Sequence, residues 1–272
     1  MNRHSCEPSR ILSAHPIDPT FRARIMTQLD HIERAHDVRV LYACESGSRA
    51  WGFASPDSDY DVRFVYVHPI KWYLTVEPQR DVIEVPIDSE LDVSGWELRK
   101  ALQLLHRSNP TLLEWLQSPV VYREDAASVL GLRDMASAFF SPIRGRYHYL
   151  SMAAKNFRGY LQGDTVRYKK YLYVLRPLLA VKWIDSGKGM PPMRFADLVA
   201  GLITDAELLR EINELLALKM AASEAELGPS RPRIHAWIEA TLAECEDMRP
   251  QHLAAGGDTS LLDAFLWRTV AG

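Results

Sequence analysis

The sequence predicts an α+β protein, with an α/β-type first half followed by a C-terminal helical bundle. Short runs rich in β-branched and aromatic residues lie between residues 38 and 93, and such runs are typical of strands. From about Ser141 onward, apolar residues recur every three or four positions, which indicates amphipathic helices. We therefore expect an N-terminal tail over residues 1–19, a first domain over 20–140 and a helical domain over 141–272.

The composition predicts a globular protein that does not contact membranes. At 272 residues and 47% hydrophobic content, the chain can build a substantial core. No run approaches the roughly 18 apolar residues that a membrane span needs, and the polar N-terminus lacks the apolar run of a signal peptide. Three widely spaced cysteines suit neither a disulfide framework nor a cysteine metal site. These features predict a cytoplasmic protein with reduced thiols.

The charge distribution limits where a polyanion can bind. A net charge of -3 excludes overall positive charge as the means of binding nucleic acid. Acidic residues are grouped within residues 40–97, whereas residues 144–176 are rich in arginine and lysine. Any polyanion site is therefore expected to be local.

The first half is predicted to contain both helices and strands. Apolar residues at helical spacing predict a helix over residues 20–35. Strands are predicted over 38–44, 60–67, 81–86 and, as a shorter one, 89–93. Ser94 stands three residues before Glu97, as in a capping box, and predicts a helix that begins at Ser94. Pro110 is expected to open the next helix.

The second half is predicted to be helical, without strands. Four stretches place apolar residues along one helix face. They lie at residues 149–160, 172–183, 208–216 and 234–245.

Two aspartates stand at the start of a predicted strand. Asp59 and Asp61 are two positions apart, so both carboxylates project to the same face of the strand, with Cα atoms about 7 Å apart. Like charges held in this way need a cation, and hard oxygen ligands suit Mg²⁺ or Mn²⁺. The Asp-x-Asp pattern alone favours a solvated acidic strand end, so a second signal is needed to choose the metal site.

The second signal is a Gly-Ser pair that directly follows an apolar strand. Gly47 allows backbone N–H groups to approach a phosphate closely, and the hydroxyl of Ser48 is a further donor. Ten residues separate Ser48 from Asp59. This arrangement predicts that a phosphate-binding turn and a pair of metal ligands lie together.

These residues resemble the signature of the DNA polymerase beta nucleotidyltransferase superfamily, in which a Gly-Ser pair precedes an Asp-x-Asp pair. The wider stretch YACESGSRAWGFASPDSDYDVRFVYV, with LDVSGWELRKAL and NPTLLEWLQSP after it, resembles a bacterial and phage family of predicted nucleotidyltransferases. Some members of that family are associated with RNA ligases. The likeness extends over most of residues 35–235.

The resemblance implies a nucleotidyltransferase fold, with a mixed sheet flanked by helices. It also implies a site with two Mg²⁺ or Mn²⁺ ions, which transfers a nucleoside monophosphate from a nucleoside triphosphate (NTP) to a hydroxyl group and releases pyrophosphate. Asp59 and Asp61 match the paired metal ligands of the family. Gly47 and Ser48 match its phosphate-contacting turn.

The resemblance further implies a third carboxylate, on a later strand, that binds the metal beside the attacking hydroxyl. Asp92 matches the family most closely and is our choice. Asp88 and Glu90 lie on the same face of the predicted strand by alternation, so the register leaves them as alternatives.

Two groups of basic residues are candidates for binding the triphosphate. Arg49 follows the Gly-Ser pair and can reach a phosphate oxygen. Arg63 shares the strand face of both aspartates, and it either binds phosphate or orients a carboxylate as an ion-pair partner. In the helical half, basic residues follow helix faces, which is usual for a solvated surface; the alternative is a wall of the nucleotide cleft, closed by the helical domain. The residues assigned to that wall are Lys155, Lys169, Lys170, Tyr173 and Arg176.

The predicted function is therefore that of a metal-dependent nucleotidyltransferase. Its substrate is expected to be an NTP, ATP among them, and its acceptor RNA, a protein side chain or a small molecule. The alternatives are a catalytically silent module that binds nucleotide for regulation, and an antitoxin-like partner of another protein. The intact Asp-x-Asp and Gly-Ser pairs favour the enzyme.

Overall fold

A computed structural model describes residues 11–86, 90–163, 165–221, 227–247 and 257–271. The helices in these residues are, in chain order, α1 Pro19–His36, α2 Gly47–Trp51, α3 Ile70–Tyr73, α4 Leu98–His106, α5 Pro110–Trp115, α6 Ala126–Phe139, α7 Pro142–Tyr160, α8 Tyr168–Asp185, α9 Phe195–Leu202, α10 Ala206–Ala221, α11 Pro232–Asp247 and α12 Thr259–Ala271. The strands are β1 Arg39–Glu45, β2 Tyr60–Val67, β3 Val82–Glu84, β4 Leu91–Glu97, β5 Val121–Glu124, β6 Thr165–Arg167 and β7 Leu227–Pro229.

The chain folds into two compact units, each built from more than one segment. We call them the sheet unit, with the described residues of 15–50, 59–144 and 253–272, and the helical unit, with those of 1–14, 51–58 and 145–252. The domains predicted from the sequence are continuous, whereas these units are not. The reason is that α12 packs against α4, and Phe53 belongs to the core of the helical unit.

The sheet unit is built on a five-stranded sheet in the order β3-β4-β2-β1-β5. β2 pairs with β4 in parallel, whereas the other neighbouring strands are antiparallel. The sheet is therefore mixed, and helices of the same unit flank it. With the helical region that follows in the chain, this confirms the predicted α+β fold class.

The core of the sheet unit lies between α1 and one face of the sheet. Ile25, Leu29 and Ile32 recur at helical spacing and are fully buried. They pack in one cluster with Val62 and Phe64, which alternate along β2. The apolar residues that recur at helical spacing in α1 and those that alternate along β2 therefore pack together in this core.

The prediction that a helix begins at Ser94 is wrong. Ser94 and Gly95 lie inside β4, where they pair with Arg63 and Phe64 of β2. The helix α4 begins at Leu98, and the side chain of Glu97 accepts hydrogen bonds from the N–H groups at its first turn. Pairing with strands on both sides of β4 outweighs the local capping pattern, which is a weak signal when tertiary contacts oppose it.

The structure also contains elements that the sequence patterns did not predict. These are α2, α3, α6, α9, α12 and the two-stranded sheet of β6 and β7. The prediction that the second half contains no strands is therefore wrong. Each of these two strands has three residues, which is too short for a period of two to show in the sequence.

The helical unit is organised around α8, most of whose side chains are buried. The connection over residues 51–58 packs in the same unit, where the buried ammonium group of Lys219 donates to the hydroxyl of Ser55 at 2.6 Å. The N–H of Ser55 in turn donates to the hydroxyl of Ser58 at 3.0 Å. These contacts fix Ser55 and Ser58, the second of which directly precedes Asp59 in the sequence. Among the helices of the described residues, none is long and apolar enough to cross a membrane.

Replacing Gly95 with alanine tests the register of β4. A Cβ at this position would lie 2.3 Å from the ring of Phe64 on the neighbouring strand, so we expect Gly95→Ala to lower the free energy of unfolding by about 1–3 kcal/mol. If a helix began at Ser94, alanine at position 95 would instead stabilise it. Urea denaturation measures the change.

Gly159→Ala is the matched control, because its added Cβ meets nothing within 4 Å near the end of α7. We expect this variant to be as stable as the wild type or slightly more stable. A wild-type unfolding midpoint for Gly95→Ala would contradict the pairing of β4 with β2.

Candidate active site

The candidate site begins at the end of β1, where the chain passes through Ser46 into α2. Gly47 has a φ of 58°, a left-handed conformation that favours glycine. A Cβ on Gly47 would lie 2.0 Å from Oδ2 of Asp61, so the missing side chain leaves the space that this carboxylate takes. The predicted Gly-Ser turn is thus the first turn of a short helix, and the side chain of Ser48 is buried in it.

Asp61 and Asp92 lie side by side on neighbouring parallel strands. The register of β2 and β4 makes them direct partners. One guanidinium nitrogen of Arg63, Nη2, donates to Oδ1 of Asp61 at 3.0 Å and to Oδ2 of Asp92 at 2.7 Å. The three side chains are between 17% and 30% exposed, so solvent screens their charges only in part. Arg63 thus has the ion-pair arrangement that orients both carboxylates.

Asp59 is exposed at the position before β2. Within the part of the chain that the structure describes, no three His, Cys, Asp or Glu side chains are close enough together to hold a metal ion. The structure therefore brings Asp61 and Asp92 together, but it does not gather Asp59 with them into one cluster.

The two alternatives for the third carboxylate have different positions. Glu90 lies directly before β4, is exposed, and its carbonyl accepts a hydrogen bond from the N–H of Tyr60 at 2.8 Å. Asp88 lies outside the described residues. Among the described carboxylates, Asp92 is the one that the register places beside Asp61.

Arg49 is buried, and its guanidinium group binds backbone carbonyls of the sheet unit. It donates to the carbonyls of Asp59 at 3.2 Å and Pro16 at 3.0 Å. Its charge also lies 3.9 Å from the ring centroid of Tyr60, a favourable cation–π distance. These contacts connect α2 to the start of β2, next to Asp59 and Asp61.

Glu45 is an acidic residue of this site that the sequence patterns did not single out. It is the last residue of β1, and its side chain is fully buried. Its carboxylate accepts hydrogen bonds from the N–H of Asp61 at 2.9 Å and from the hydroxyl of Tyr122. Burial raises the pKa of Glu45 to about 7. A glutamate that directly follows the apolar run from Val40 to Cys44 and stands two residues before Gly47 was the available signal.

The lysines and the tyrosine assigned to the nucleotide lie in the helical unit. Lys155 is exposed on α7, and Lys169 is half-buried at the start of α8. The ammonium group of Lys170 lies 3.7 Å from the ring centroid of Tyr160 and 5.5 Å from that of Tyr173. The structure therefore brings Lys170 and Tyr173 together within this unit.

Arg176, also assigned to the nucleotide, is buried in α8. Its guanidinium group donates to the carbonyl of Met193 from two nitrogens, at 3.3 and 3.2 Å. It also lies 4.6 Å from the ring centroid of Trp51, which contacts Tyr173 edge-on. The charge of Arg176 is therefore buried within the helical unit, where these contacts stabilise it.

Comparison with known proteins identifies the family. Residues 21–268 match the family model described as the RNA repair pathway DNA polymerase beta family, RlaP. The chain belongs to this family. It is also 46% identical over 250 residues to the uncharacterized protein YcgL of Bacillus subtilis strain 168, a match that covers 92% of this chain and 96% of that protein. The resemblance to the DNA polymerase beta superfamily is thereby confirmed.

A solved structure has a more distant likeness to this RlaP family member. The crystal structure of a nucleotidyltransferase-like protein from Exiguobacterium sibiricum 255-15 matches 90% of this chain and 89% of its own, with 14% identity and a TM-score of 0.31. A likeness at this TM-score supports no statement about the site. Family membership therefore rests on the family model.

The carboxylates of the candidate site fit a divalent cation in donor type. Carboxylate oxygens are the ligands that Mg²⁺ and Mn²⁺ prefer, and two of them meet in register between β2 and β4. The missing side chain of Gly47 gives room to the carboxylate of Asp61. Arg63 already binds one oxygen of each carboxylate, so a cation shared by both would compete with this guanidinium group.

Replacing Gly47 with alanine tests the space at Asp61. Alanine in a left-handed conformation costs about 1 kcal/mol by itself, and the new Cβ would also overlap the carboxylate of Asp61. We therefore expect Gly47→Ala to lower the free energy of unfolding by at least about 2 kcal/mol, measured by urea denaturation.

Gly187→Ala is the matched control for backbone strain. Gly187 has a φ of 71°, and an added Cβ there meets nothing within 4 Å, so its loss is expected to be about 1 kcal/mol. Equal losses in the two variants would show that the carboxylate of Asp61 does not need the space beside Gly47.

Proposed function

We propose that this protein transfers a nucleoside monophosphate from an NTP to a hydroxyl acceptor, using Asp59, Asp61 and Asp92. The observation that carries the proposal is the pairing of Asp61 with Asp92 on parallel strands, next to a glycine that leaves room for one of the carboxylates. Membership of a DNA polymerase beta family supports the same reaction class.

The proposed reaction is an in-line displacement at the α-phosphorus. The acceptor oxygen forms a bond to this phosphorus and loses its proton, while the bond to the bridging oxygen breaks and pyrophosphate leaves with the electron pair. Two Mg²⁺ or Mn²⁺ ions, when bound, would lower the pKa of the acceptor hydroxyl and stabilise the charge on the leaving group.

In this proposal the protein's own residues position the metal ions and the phosphates. In the proposal, Asp59 and Asp61 hold one ion and all three carboxylates hold the other. Backbone N–H groups at Gly47 and Ser48 contact the phosphates, since the glycine permits a close approach. Positioning and electrostatic stabilisation then supply most of the rate enhancement.

The basic residues divide into two groups under this proposal. Arg49 and Arg176 donate to backbone carbonyls, so we leave them out of the proposed nucleotide contacts. Arg63 orients two carboxylates and is assigned to that role. The assignment of Lys155, Lys169, Lys170 and Tyr173 to the nucleotide stays a prediction.

RNA with a free 3′-hydroxyl is the first acceptor to test, because the description of the family names RNA repair. Each of the four NTPs, labelled at the α-phosphate, would be incubated with the protein, Mg²⁺ or Mn²⁺, and RNA or buffer. Transfer of label supports the proposal. Binding of an NTP without transfer to RNA or to the protein itself would favour a nucleotide-binding module.

Loss of a carboxylate is expected to abolish transfer without unfolding the protein. Asp59→Ala, Asp61→Ala and Asp92→Ala should each lower the rate of label transfer at least about 100-fold, because each removes a proposed metal ligand. Circular dichroism checks the fold. Asp57→Ala is the matched control, since Asp57 is an exposed aspartate two residues before Asp59. Retained activity in any of the three variants would contradict the assignment of that residue.

Removing Arg63 is expected to make the stability of the protein depend on divalent cations. Without a divalent cation, Arg63→Met leaves Asp61 and Asp92 without their shared partner and should cost about 1–3 kcal/mol. Mn²⁺ should stabilise this variant more than the wild type, because the cation takes the place of the guanidinium group. Thermal unfolding with and without Mn²⁺ measures both effects.

Arg123→Met is the matched control for this experiment. Arg123 also binds two carboxylates, those of Asp30 and Glu33, but neither belongs to the proposed site. Its loss of stability is expected to be insensitive to Mn²⁺. An equal response of the two variants to Mn²⁺ would contradict a cation site between Asp61 and Asp92.

A further inference from the structure

Glu45 is a fully buried carboxylate within the core of the sheet unit. The other residues of β1 from Val40 to Cys44 are apolar and buried, so an apolar side chain would suit the packing at this position. A buried carboxylate costs free energy unless hydrogen bonds replace the lost water. The presence of Glu45 therefore points to a need for an acceptor at this place.

The acceptor is needed where β1 separates from β2. The N–H of Ser46 donates to the carbonyl of Asp61 at 2.8 Å, and this is the last contact of the ladder before the chain turns into α2. The N–H of Asp61 donates to Oε1 of Glu45 at 2.9 Å. Residues 45 and 46 thus fix the backbone of Asp61 through both its N–H and its carbonyl group.

The orientation of the Glu45 side chain is itself fixed from β5 and the segment before it. The hydroxyl of Tyr122 donates to Oε2 of Glu45, and Tyr122 is buried. The hydroxyl of Ser118 donates to the carbonyl of Glu45 at 2.6 Å, and the N–H of Glu45 donates to the carbonyl of Val120 at 2.9 Å. Both oxygens of the carboxylate therefore have a defined donor.

We propose that Glu45 is a positioning residue of the active site, which together with Tyr122 holds the backbone of Asp61 where its carboxylate can share a divalent cation with Asp92. This inference rests on the proposed function of the site. Glu45 has no exposed surface, so it acts through Asp61 and does not touch a substrate. Groups that orient metal ligands in this way commonly change metal affinity when they are removed.

Two substitutions of Glu45 separate positioning from charge. Glu45→Gln keeps the oxygen that accepts from the N–H of Asp61 and removes the ionisable group. Glu45→Met has a similar length and removes the acceptor. Mn²⁺ affinity without nucleotide, measured by electron paramagnetic resonance, is a readout that does not depend on activity.

Glu97 supplies the matched control. It is also fully buried, and it accepts hydrogen bonds from a tyrosine hydroxyl, that of Tyr73, and from backbone N–H groups. Those groups belong to Arg99 and Lys100 at the start of α4 and not to a proposed metal ligand. Glu97→Gln and Glu97→Met therefore reproduce the loss of a buried carboxylate without affecting Asp61.

We expect Glu45→Gln to bind Mn²⁺ within about threefold of the wild type and Glu45→Met to bind it about tenfold more weakly. Both Glu97 variants should bind Mn²⁺ as the wild type does. Wild-type affinity in Glu45→Met would overturn the proposal. So would equal losses in Glu45→Gln and Glu45→Met, or in Glu45→Met and Glu97→Met, or a wild-type protein that does not bind Mn²⁺.

If Glu45→Met does not fold, Tyr122→Phe replaces it, with Tyr73→Phe as its control. Weaker Mn²⁺ binding in Tyr122→Phe alone supports the proposal, and unchanged binding overturns it. The assay with labelled NTPs separates this inference from the proposed function. Mn²⁺ binding that follows the expected order, without transfer of label from any NTP, would contradict the nucleotidyltransferase and leave the role of Glu45 in place.

Discussion

The parallel pairing of β2 with β4 is the constraint on which the candidate site depends. It places Asp61 beside Asp92 and sets Gly95 against the ring of Phe64. A shift of one residue in this register would turn Asp92 to the opposite face of the sheet. Because β4 continues to Glu97 to complete the pairing, the same constraint also determines where α4 begins.

The meeting of Asp61 and Asp92 has an electrostatic cost that Arg63 offsets. Their oxygens bind the same nitrogen, so they lie within about 6 Å of each other, where two carboxylates repel by about 3 kcal/mol near a protein surface. One guanidinium group contacts both carboxylates and balances one of their two negative charges. The charge that stabilises this edge of the sheet is therefore the charge with which a divalent cation has to compete.

Buried glutamates mark two places where a strand of the sheet unit passes into a helix. Glu45 ends β1 before α2, and Glu97 ends β4 before α4. Each accepts hydrogen bonds from a tyrosine hydroxyl and from at least one backbone N–H. Burial raises the pKa of both carboxyl groups. The difference between them is the residue that they hold, which is Asp61 in one case and the first turn of α4 in the other.

The sequence by itself determined the elements with a clear period, such as α1 and β2, because repeating apolar positions record which face is buried. It also determined the family and the residues Gly47, Ser48, Asp59 and Asp61 as the candidate site, since their types and spacing are local. Only the tertiary structure decided that Asp92 lies beside Asp61, that Arg63 binds both carboxylates, that Glu45 holds the backbone of Asp61, and that Ser94 belongs to a strand. The physical reason is that each of these depends on register and contacts between strands whose residues lie 16 to 77 positions apart in the chain, and a local pattern carries no information on such pairs.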